Sequence, residues 1–252
     1  MCRTCGCSDP MDDHTHAHEH PHGPSTGPGV VVPLEQRVLE RNDRLAAETR
    51  RRLRARRVCA LNLMSGPGAG KTTLLERMLR DLAGDLEIAV IEGDQATDHD
   101  AARVRAAGGR AVQVNTGPGC HLDAAMVARA LEALDPAAGS IVVVENVGNL
   151  VCPALFDLGE DARVVIASVT DGDDKPLKYP HMFRAADVLL LSKVDLLPHV
   201  RFDRDRWRGA AREVNPQAVG FELSATRGDG LDAWYGWLRR RAVEPRAVAS
   251  AP

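Results

Sequence analysis

The chain has 252 residues, 44% of them apolar and 27% charged, with a formal net charge of −3. That length and apolar share suffice for one large α/β core with appendages, and the near-balanced charge excludes an overall field that would recruit nucleic acid or an anionic membrane. There is no run of about 18 apolar residues for a membrane span and no apolar signal-peptide stretch, so the expected compartment is the cytoplasm, where the six cysteines read as ligands or core thiols rather than disulfides.

Residues 1–33 are rich in Cys, His, Asp, Gly and Pro and nearly lack large apolar side chains outside Val30 to Val32. Such a composition does not offset the entropy of ordering, so a disordered tail is expected. Within it Cys2, Cys5 and Cys7 form a Cys-x-x-Cys-Gly-Cys pattern: the two-residue gap turns two thiolates onto one ion, and Gly6 relaxes the backbone for a third. Soft thiolates select zinc, nickel, copper(I) or iron–sulfur iron over magnesium or calcium. His14, His16, His18, His20 and His22 follow at every second position and add weaker, auxiliary imidazole ligands.

Residues 34–57 read as an amphipathic, basic helix, with Leu34, Val38, Leu45 and Leu53 near one face and a cluster from Arg50-Arg51-Arg52 to Arg56-Arg57. Arginines in a last turn suit the negative end of the helix dipole, so the cluster is taken as a solvated face rather than a nucleic-acid site. The helix is expected to pack beside the main domain.

That domain, residues 58–241, opens with the apolar strand Val58 to Met64, then Ser65-Gly66-Pro67-Gly68-Ala69-Gly70-Lys71-Thr72-Thr73, then a helical Leu74 to Leu79. Strand, glycine loop, Gly-Lys-Thr and helix stand in the order a phosphate-binding loop requires. Backbone N–H groups of the loop and of the helix N-terminus would face the phosphates, Lys71 adds a positive charge, and the Thr72 hydroxyl can ligate Mg²⁺. The first glycine of the usual pattern is here Ser65.

Further strand-like runs cover 86–92, 111–115, 141–145, 163–169, 188–192 and 218–222, alternating with helical stretches. Continuous apolar runs such as Ile141-Val142-Val143-Val144 predict a mainly parallel sheet with helices on both faces, and ligands gathered at the C-terminal strand edge. Asp94 and Glu145 stand at such edges and can hold Mg²⁺ or its waters and sense a terminal phosphate, although Thr97 or Asp98 could instead simply open the next helix. Ser192-Lys193-Val194-Asp195 is similar to the guanine-reading Asn-Lys-x-Asp signature: Asp195 would accept from guanine N1–H and the amino group while the Lys193 stem covers the ring. Ser192 replaces the signature's asparagine. Ser224-Ala225-Thr226 resembles the accompanying base-contacting loop.

Two loops are unusual for a plain GTPase. Cys120-His121 follows the 111–115 strand and Cys152-Pro153 follows Glu145, so two thiols and an imidazole could make an open metal site, or a closed one shared between two subunits. Cys59, within the first strand, reads as a small core hydrophobe.

Taken together, the N-terminal cysteines, the histidine tract, Ser65 to Thr73, Glu92-Gly93-Asp94, Gly117 to His121, Glu145 to Pro153 and Ser192 to Asp195 resemble the hydrogenase nickel-incorporation GTPases of the HypB family, over essentially the whole chain apart from its last ten residues. The resemblance implies the P-loop NTPase fold of the dimerising GTPase class. It implies a slow, Mg²⁺-dependent GTPase, with Lys71, Asp94 and Glu145 in the catalytic centre, that serves as a metallochaperone loading Ni²⁺ into the large subunit of [NiFe]-hydrogenase. It also implies a GTP-dependent homodimer with a Ni²⁺ or Zn²⁺ site at its face built from Cys120, His121 and Cys152, and a tight nickel site at Cys2, Cys5 and Cys7. A nickel-binding accessory maturation protein and the hydrogenase large-subunit precursor are the implied partners. The alternatives are a nickel or zinc store with a vestigial GTPase, a urease-type nickel-delivery GTPase, and a signalling GTPase with an incidental metal tail. Residues 242–252 are expected to be disordered.

Overall fold

Seven apolar segments form the strands of one sheet: β1 (Cys59–Ser65), β2 (Ile88–Asp94), β3 (Arg110–Asn115), β4 (Ile141–Glu145), β5 (Ala162–Ser168), β6 (Val188–Ser192) and β7 (Val219–Glu222). Every pair is parallel, in the order β3-β2-β4-β1-β5-β6-β7. The computed structural model describes residues 31–94, 99–117 and 119–243. The expected ligands Cys2, Cys5, Cys7, His14, His16, His18, His20 and His22, the cap candidates Thr97 and Asp98, and residues 244–252 lie outside the described residues. By its contacts the chain divides between Arg41 and Asn42, and the sheet and both sites belong to the unit from Asn42 on.

The helices are α1 (Val31–Ala55), α2 (Lys71–Asp81), α3 (His99–Ala106), α4 (Ala124–Leu134), the short α5 (Lys175–Lys178) and α6 (Pro180–Arg184), α7 (Arg204–Val214) and α8 (Leu231–Val243). They cover both faces, which is why the strands are apolar at consecutive positions instead of alternating. Cys59, Leu61 and Leu63 of β1 face Leu74, Leu75 and Met78 of α2 and Trp234, Trp237 and Leu238 of α8. On the other face Ala60 packs with Leu53 of α1 and Val127 and Ala130 of α4, while Met64, Val165 and Leu189 meet Met182, Phe183 and Trp207. The α2–α8 contact is capped by two indoles: Trp234 and Trp237 stack with centroids 5.1 Å apart, and the Trp234 Nε1–H donates to the Met78 sulfur at 3.4 Å.

Helix α1 differs from the expectation in its buried face. Val38 is exposed and Leu45 only partly covered, while the stripe turned inward is Asn42, Ala46, Thr49 and Leu53. Two polar residues occupy it because Asn42 is fully engaged: its Oδ1 accepts from the Ala124 N–H at 2.9 Å and its Nδ2 donates to the Asp157 carbonyl at 2.8 Å. The arginine cluster is tied down as well. Arg50 pairs with Asp157 at 2.5 Å, Arg54 with Asp161 at 3.2 Å and Arg56 with Asp135 at 2.8 Å. Helix α1 thus clamps the segments that follow both thiol-bearing loops.

Candidate functional site

At the C-terminal edge of the sheet, β1 runs into the loop Gly66–Gly70 and α2. Gly70 caps α2 at φ 100°, a left-handed conformation that costs glycine little and other residues about 1 kcal/mol. The turn leaves Pro67 and Gly68 exposed above a concave row of backbone, and the Lys71 ammonium rests on the Ser65 hydroxyl at 3.1 Å. Thr72 is buried, and its hydroxyl donates to Glu145 Oε1 at 2.7 Å.

Glu145 is one of three gathered carboxylates, with Glu92 and Asp100; one oxygen from each lies within 4.8 Å of the others. Glu92 and Glu145 are paired side by side across the β2–β4 ladder and are both buried. Burial and the Glu145 charge beside it push the Glu92 carboxyl up to about 10, and burial raises Glu145 too, against the pull of Lys71 and the Thr72 hydroxyl. At neutral pH the pair therefore holds a proton. The second oxygen of each has no hydrogen-bond partner among the described residues. Buried, unpartnered hard oxygens beside a phosphate loop are a donor set that suits a magnesium ion or its waters.

Asp94, the carboxylate favoured from sequence, is not in that group. It closes β2 two residues beyond Glu92, on the same side of the strand by alternation, and its carbonyl accepts from the Thr116 N–H at 3.0 Å. Glu92 and Asp100 were missed. A signal for Glu92 existed: Ile88-Ala89-Val90-Ile91-Glu92 and Ile141-Val142-Val143-Val144-Glu145 are the same five-residue pattern, and in-register parallel neighbours place their last residues together. Asp100 sits in the first turn of α3, where an acid ordinarily serves the helix dipole.

The β6 and β7 ends complete the nucleotide side. Lys193, left-handed at φ 59°, donates to the Gly68 carbonyl at 2.7 Å, and its stem passes Gly70. Ser192 donates to the Ala69 carbonyl at 2.7 Å, so the residue that replaces asparagine does brace the phosphate loop. Asp195 lies in the following 3-10 turn, partly buried. Ser224 is fully buried and accepts from the Arg227 N–H at 3.0 Å, and the Ala225 carbonyl accepts from Arg77 of α2.

The soft ligands also come together. Cys120 and Cys152 sulfurs are 3.0 Å apart, and Cys120 Sγ is 3.8 Å from His121 Nδ1. The His121 ring stacks on Phe156 with centroids 4.0 Å apart, and burial holds its pKa below the ordinary imidazole value against the opposing pull of Asp123, which favours the neutral ring, with one N–H and one bare nitrogen. A neutral imidazole and two thiols at this spacing suit one soft or borderline ion with a coordination position left over. Cys59, by contrast, is buried in the core as expected. Asp123 caps α4 by accepting from the Met126 N–H at 2.7 Å, which fixes the end of the Cys120-His121 loop.

The two centres touch. Gly148 approaches the phosphate loop so closely that a Cβ there would lie 3.2 Å from Pro67 Cα, and Leu150 covers Gly66, at 3.4 Å from where its Cβ would be. Cys152 follows two residues later.

The chain is similar in sequence and fold to known proteins. Residues 60–221 match the family described as CobW/HypB/UreG, nucleotide-binding domain. Over 231 residues the chain is 54% identical to the hydrogenase maturation factor HypB of Azotobacter chroococcum mcd 1, covering 91% of this chain and 76% of that protein. Among solved structures, HypB from Archaeoglobus fulgidus superposes with a TM-score of 0.75 at 39% identity, over 81% of this chain and 100% of that one. HypB from Helicobacter pylori in complex with nickel gives a TM-score of 0.76 at 37% identity, over 84% of this chain and 100% of that one.

Proposed function

The chain belongs to the CobW/HypB/UreG family and, within it, to the HypB hydrogenase maturation factors, and from that premise we propose that it is a GTP-hydrolysing nickel metallochaperone that assists insertion of Ni²⁺ into the large subunit of [NiFe]-hydrogenase. The observation that carries the reading is the shared wall between the phosphate loop and the thiol loop, Gly148 on Pro67 and Leu150 on Gly66.

Backbone N–H groups of Gly66 and of Gly68 to Thr73 hold the phosphates, Pro67 shaping the loop without a donor, and Lys71, freed from Ser65, neutralises them. Thr72 and Glu145, with Glu92 beside them and Asp94 further out on β2, would hold Mg²⁺, which supplies charge neutralisation at the β- and γ-phosphates. Lys193 and Asp195 read guanine, because adenine has no donor pair for Asp195, and Ser224 and Ala225 close the base pocket. Cys120, His121 and Cys152 carry the nickel cargo and accept Zn²⁺ on the same chemistry. Ordering the loops after β3 and β4 around the terminal phosphate alters the geometry of these three ligands, and hydrolysis relaxes it, releasing nickel to an acceptor. By linkage, bound nickel biases nucleotide affinity by the same factor.

Val151 and Leu155 flank Cys152 at 45% and 48% exposure, an apolar rim suited to being covered. This supports a GTP-dependent homodimer across the thiol face, and transfer involving a nickel-binding accessory protein and the hydrogenase large-subunit precursor. No helix among the described residues is long and apolar enough to cross a membrane, consistent with a cytoplasmic role. Cys2, Cys5 and Cys7 form the tight capture site in this scheme, with His14 to His22 as auxiliary ligands.

The test is nickel affinity of the full chain with GDP and with a non-hydrolysable GTP analogue, beside a Cys120→Ala, Cys152→Ala double variant. A nucleotide-dependent component that disappears in the double variant is expected; nucleotide-independent binding in the wild type would overturn the coupling.

A further inference from the structure

We infer that Asn146 is the positioning residue that transmits the state of the phosphate site to the nickel-binding loops. The inference rests on the nickel-chaperone reading for its purpose, but its geometry is independent of it. Asn146 directly follows Glu145 and is 1% exposed. Its backbone N–H donates to the Leu63 carbonyl at 3.0 Å, pinning it to β1, the strand that leads into the phosphate loop. Its side-chain Oδ1 accepts from two loops at once: the Leu122 N–H at 3.3 Å, next to His121, and the Val147 N–H at 3.0 Å, at the start of the segment that ends in Cys152. Its Nδ2 donates to Asn62 Oδ1 at 3.2 Å. Asn62 in turn donates to Glu160 Oε1 at 3.4 Å, and Glu160 Oε2 accepts from the Leu158 N–H at 2.7 Å, two residues past the Phe156 ring that backs His121.

One amide therefore holds the β3 loop and the β4 loop in a fixed relation, while the neighbouring residue in the chain bonds Thr72. The job needs an acceptor with two lone pairs and a donor on a separate atom of the same short side chain, which asparagine has; ionised aspartate lacks the donor, alanine lacks both, and serine carries donor and acceptor on one oxygen. Leu122 adds a second lever on the phosphate side. Its side chain closes on Gly93, where a Cβ would lie 2.7 Å from Leu122 Cδ1, so the Leu122 backbone is held by Asn146 and its side chain by the segment of β2 between Glu92 and Asp94. A cation that drew Glu145 away from Thr72 would displace Asn146, the next residue in the chain, directly. From there the displacement would reach His121 through Leu122, and Cys152 through Val147. A buried network of this kind resists intermediate arrangements, because each member left unpaired loses its hydrogen bond without gaining one to water.

The experiment uses the full-length chain and begins without nickel. Amide exchange of the segments containing Leu122 and Val147 is followed with GDP and with a non-hydrolysable GTP analogue in the presence of magnesium. Wild type is expected to differ between the two states by about fivefold at these segments, the effect of gaining or losing one neutral hydrogen bond. In Asn146→Ala the difference should vanish. Nickel titration, read by the thiolate-to-metal charge-transfer band, should then give a GDP-to-analogue affinity ratio near one in the variant. A merely structural residue would instead lower stability in both states and leave the ratio alone. Asn146→Ser, whose hydroxyl can serve Val147 but is too short for Leu122, gives the same outcome if Asn146→Ala does not fold. A folded variant that keeps the wild-type exchange difference overturns the relay. Wild type with an exchange difference but no nickel ratio overturns the chaperone reading and leaves the relay standing; no exchange difference in wild type overturns both.

Discussion

Two groups of candidate cation ligands gather at one sheet edge, and they are opposites. The carboxylate group is hard, enclosed and rooted in regular structure: Glu92 and Glu145 end paired strands, Thr72 opens α2, and burial holds a proton on the pair. The thiol site is soft and assembled from loops, with Cys120 and His121 half-exposed and apolar Val151 and Leu155 at its rim. Strand ends are held by ladder bonds on both sides and change position little, which suits an ion that must be presented identically in each cycle. Loops move, which suits an ion that has to be handed over. The contrast teaches that the chain separates hard from soft donors, placing the first on strand ends and the second on loops that share a wall with the phosphate loop.

The comparison is broken most forcefully by Lys71→Ala. Removing the ammonium that neutralises the phosphates is expected to lower GTP turnover by about 100-fold or more, measured as phosphate release, with nickel bound in the GDP state as before. Next in size, Cys152→Ala is expected to abolish the charge-transfer band of the domain site and weaken nickel there by at least about tenfold, while GDP affinity remains that of wild type.

A pH series sharpens the hard side. Glu92 keeps its proton to about pH 10 in the folded chain but loses it near its ordinary 4.5 when unfolded. Its contribution to stability is therefore complete below 4.5 and drains away as pH rises toward 10. The nucleotide-free wild type should lose melting temperature between about pH 6 and 9, and Glu92→Gln should lose visibly less; equal slopes in a thermal-shift series would refute the buried proton. The smallest effect is expected from Ser192→Ala, which removes only the bond to the Ala69 carbonyl: a drop in nucleotide affinity of roughly 2- to 10-fold, seen in a GDP titration, corresponding to about 0.5–1.5 kcal/mol.

Much of this was legible before any coordinates. Runs such as Ile141 to Val144 could only be strands covered on both faces, and the Ser65–Thr73 stretch between a strand and a helix left little choice of loop. The meeting of Cys120, His121 and Cys152 followed from two loops leaving the same edge of a parallel sheet, although β3 and β4 are not neighbours: β2 stands between them, and the loops close over its end. What escaped were contributions that depend on register and burial rather than on residue type. Glu92 read as the last residue of a strand, and neither Asp100 nor Asn146 was singled out. On α1 the apolar pattern pointed to Val38 and Leu45, whereas two buried hydrogen bonds of Asn42 decided which face turned inward. A polar residue fully paired in the core outweighs a mediocre hydrophobic stripe, and its partners, 82 and 115 residues away in sequence, are invisible to periodicity.

The indole pair beneath α2 gives the molecule its own optical probe. Trp234 lies against the Met78 sulfur, on the helix whose first residues are Lys71 and Thr72, and is stacked on Trp237. Thioether contact and ring stacking both quench indole emission in a distance-dependent way, so any tilt of α2 as its N-terminus engages an anion is transduced into brightness some two turns further along the helix. Occupancy of the phosphate loop thus has a reporter within the unlabelled protein, in a different core cluster from Trp207, the third indole, which packs in the cluster that includes Leu150 and Ala154 on either side of Cys152.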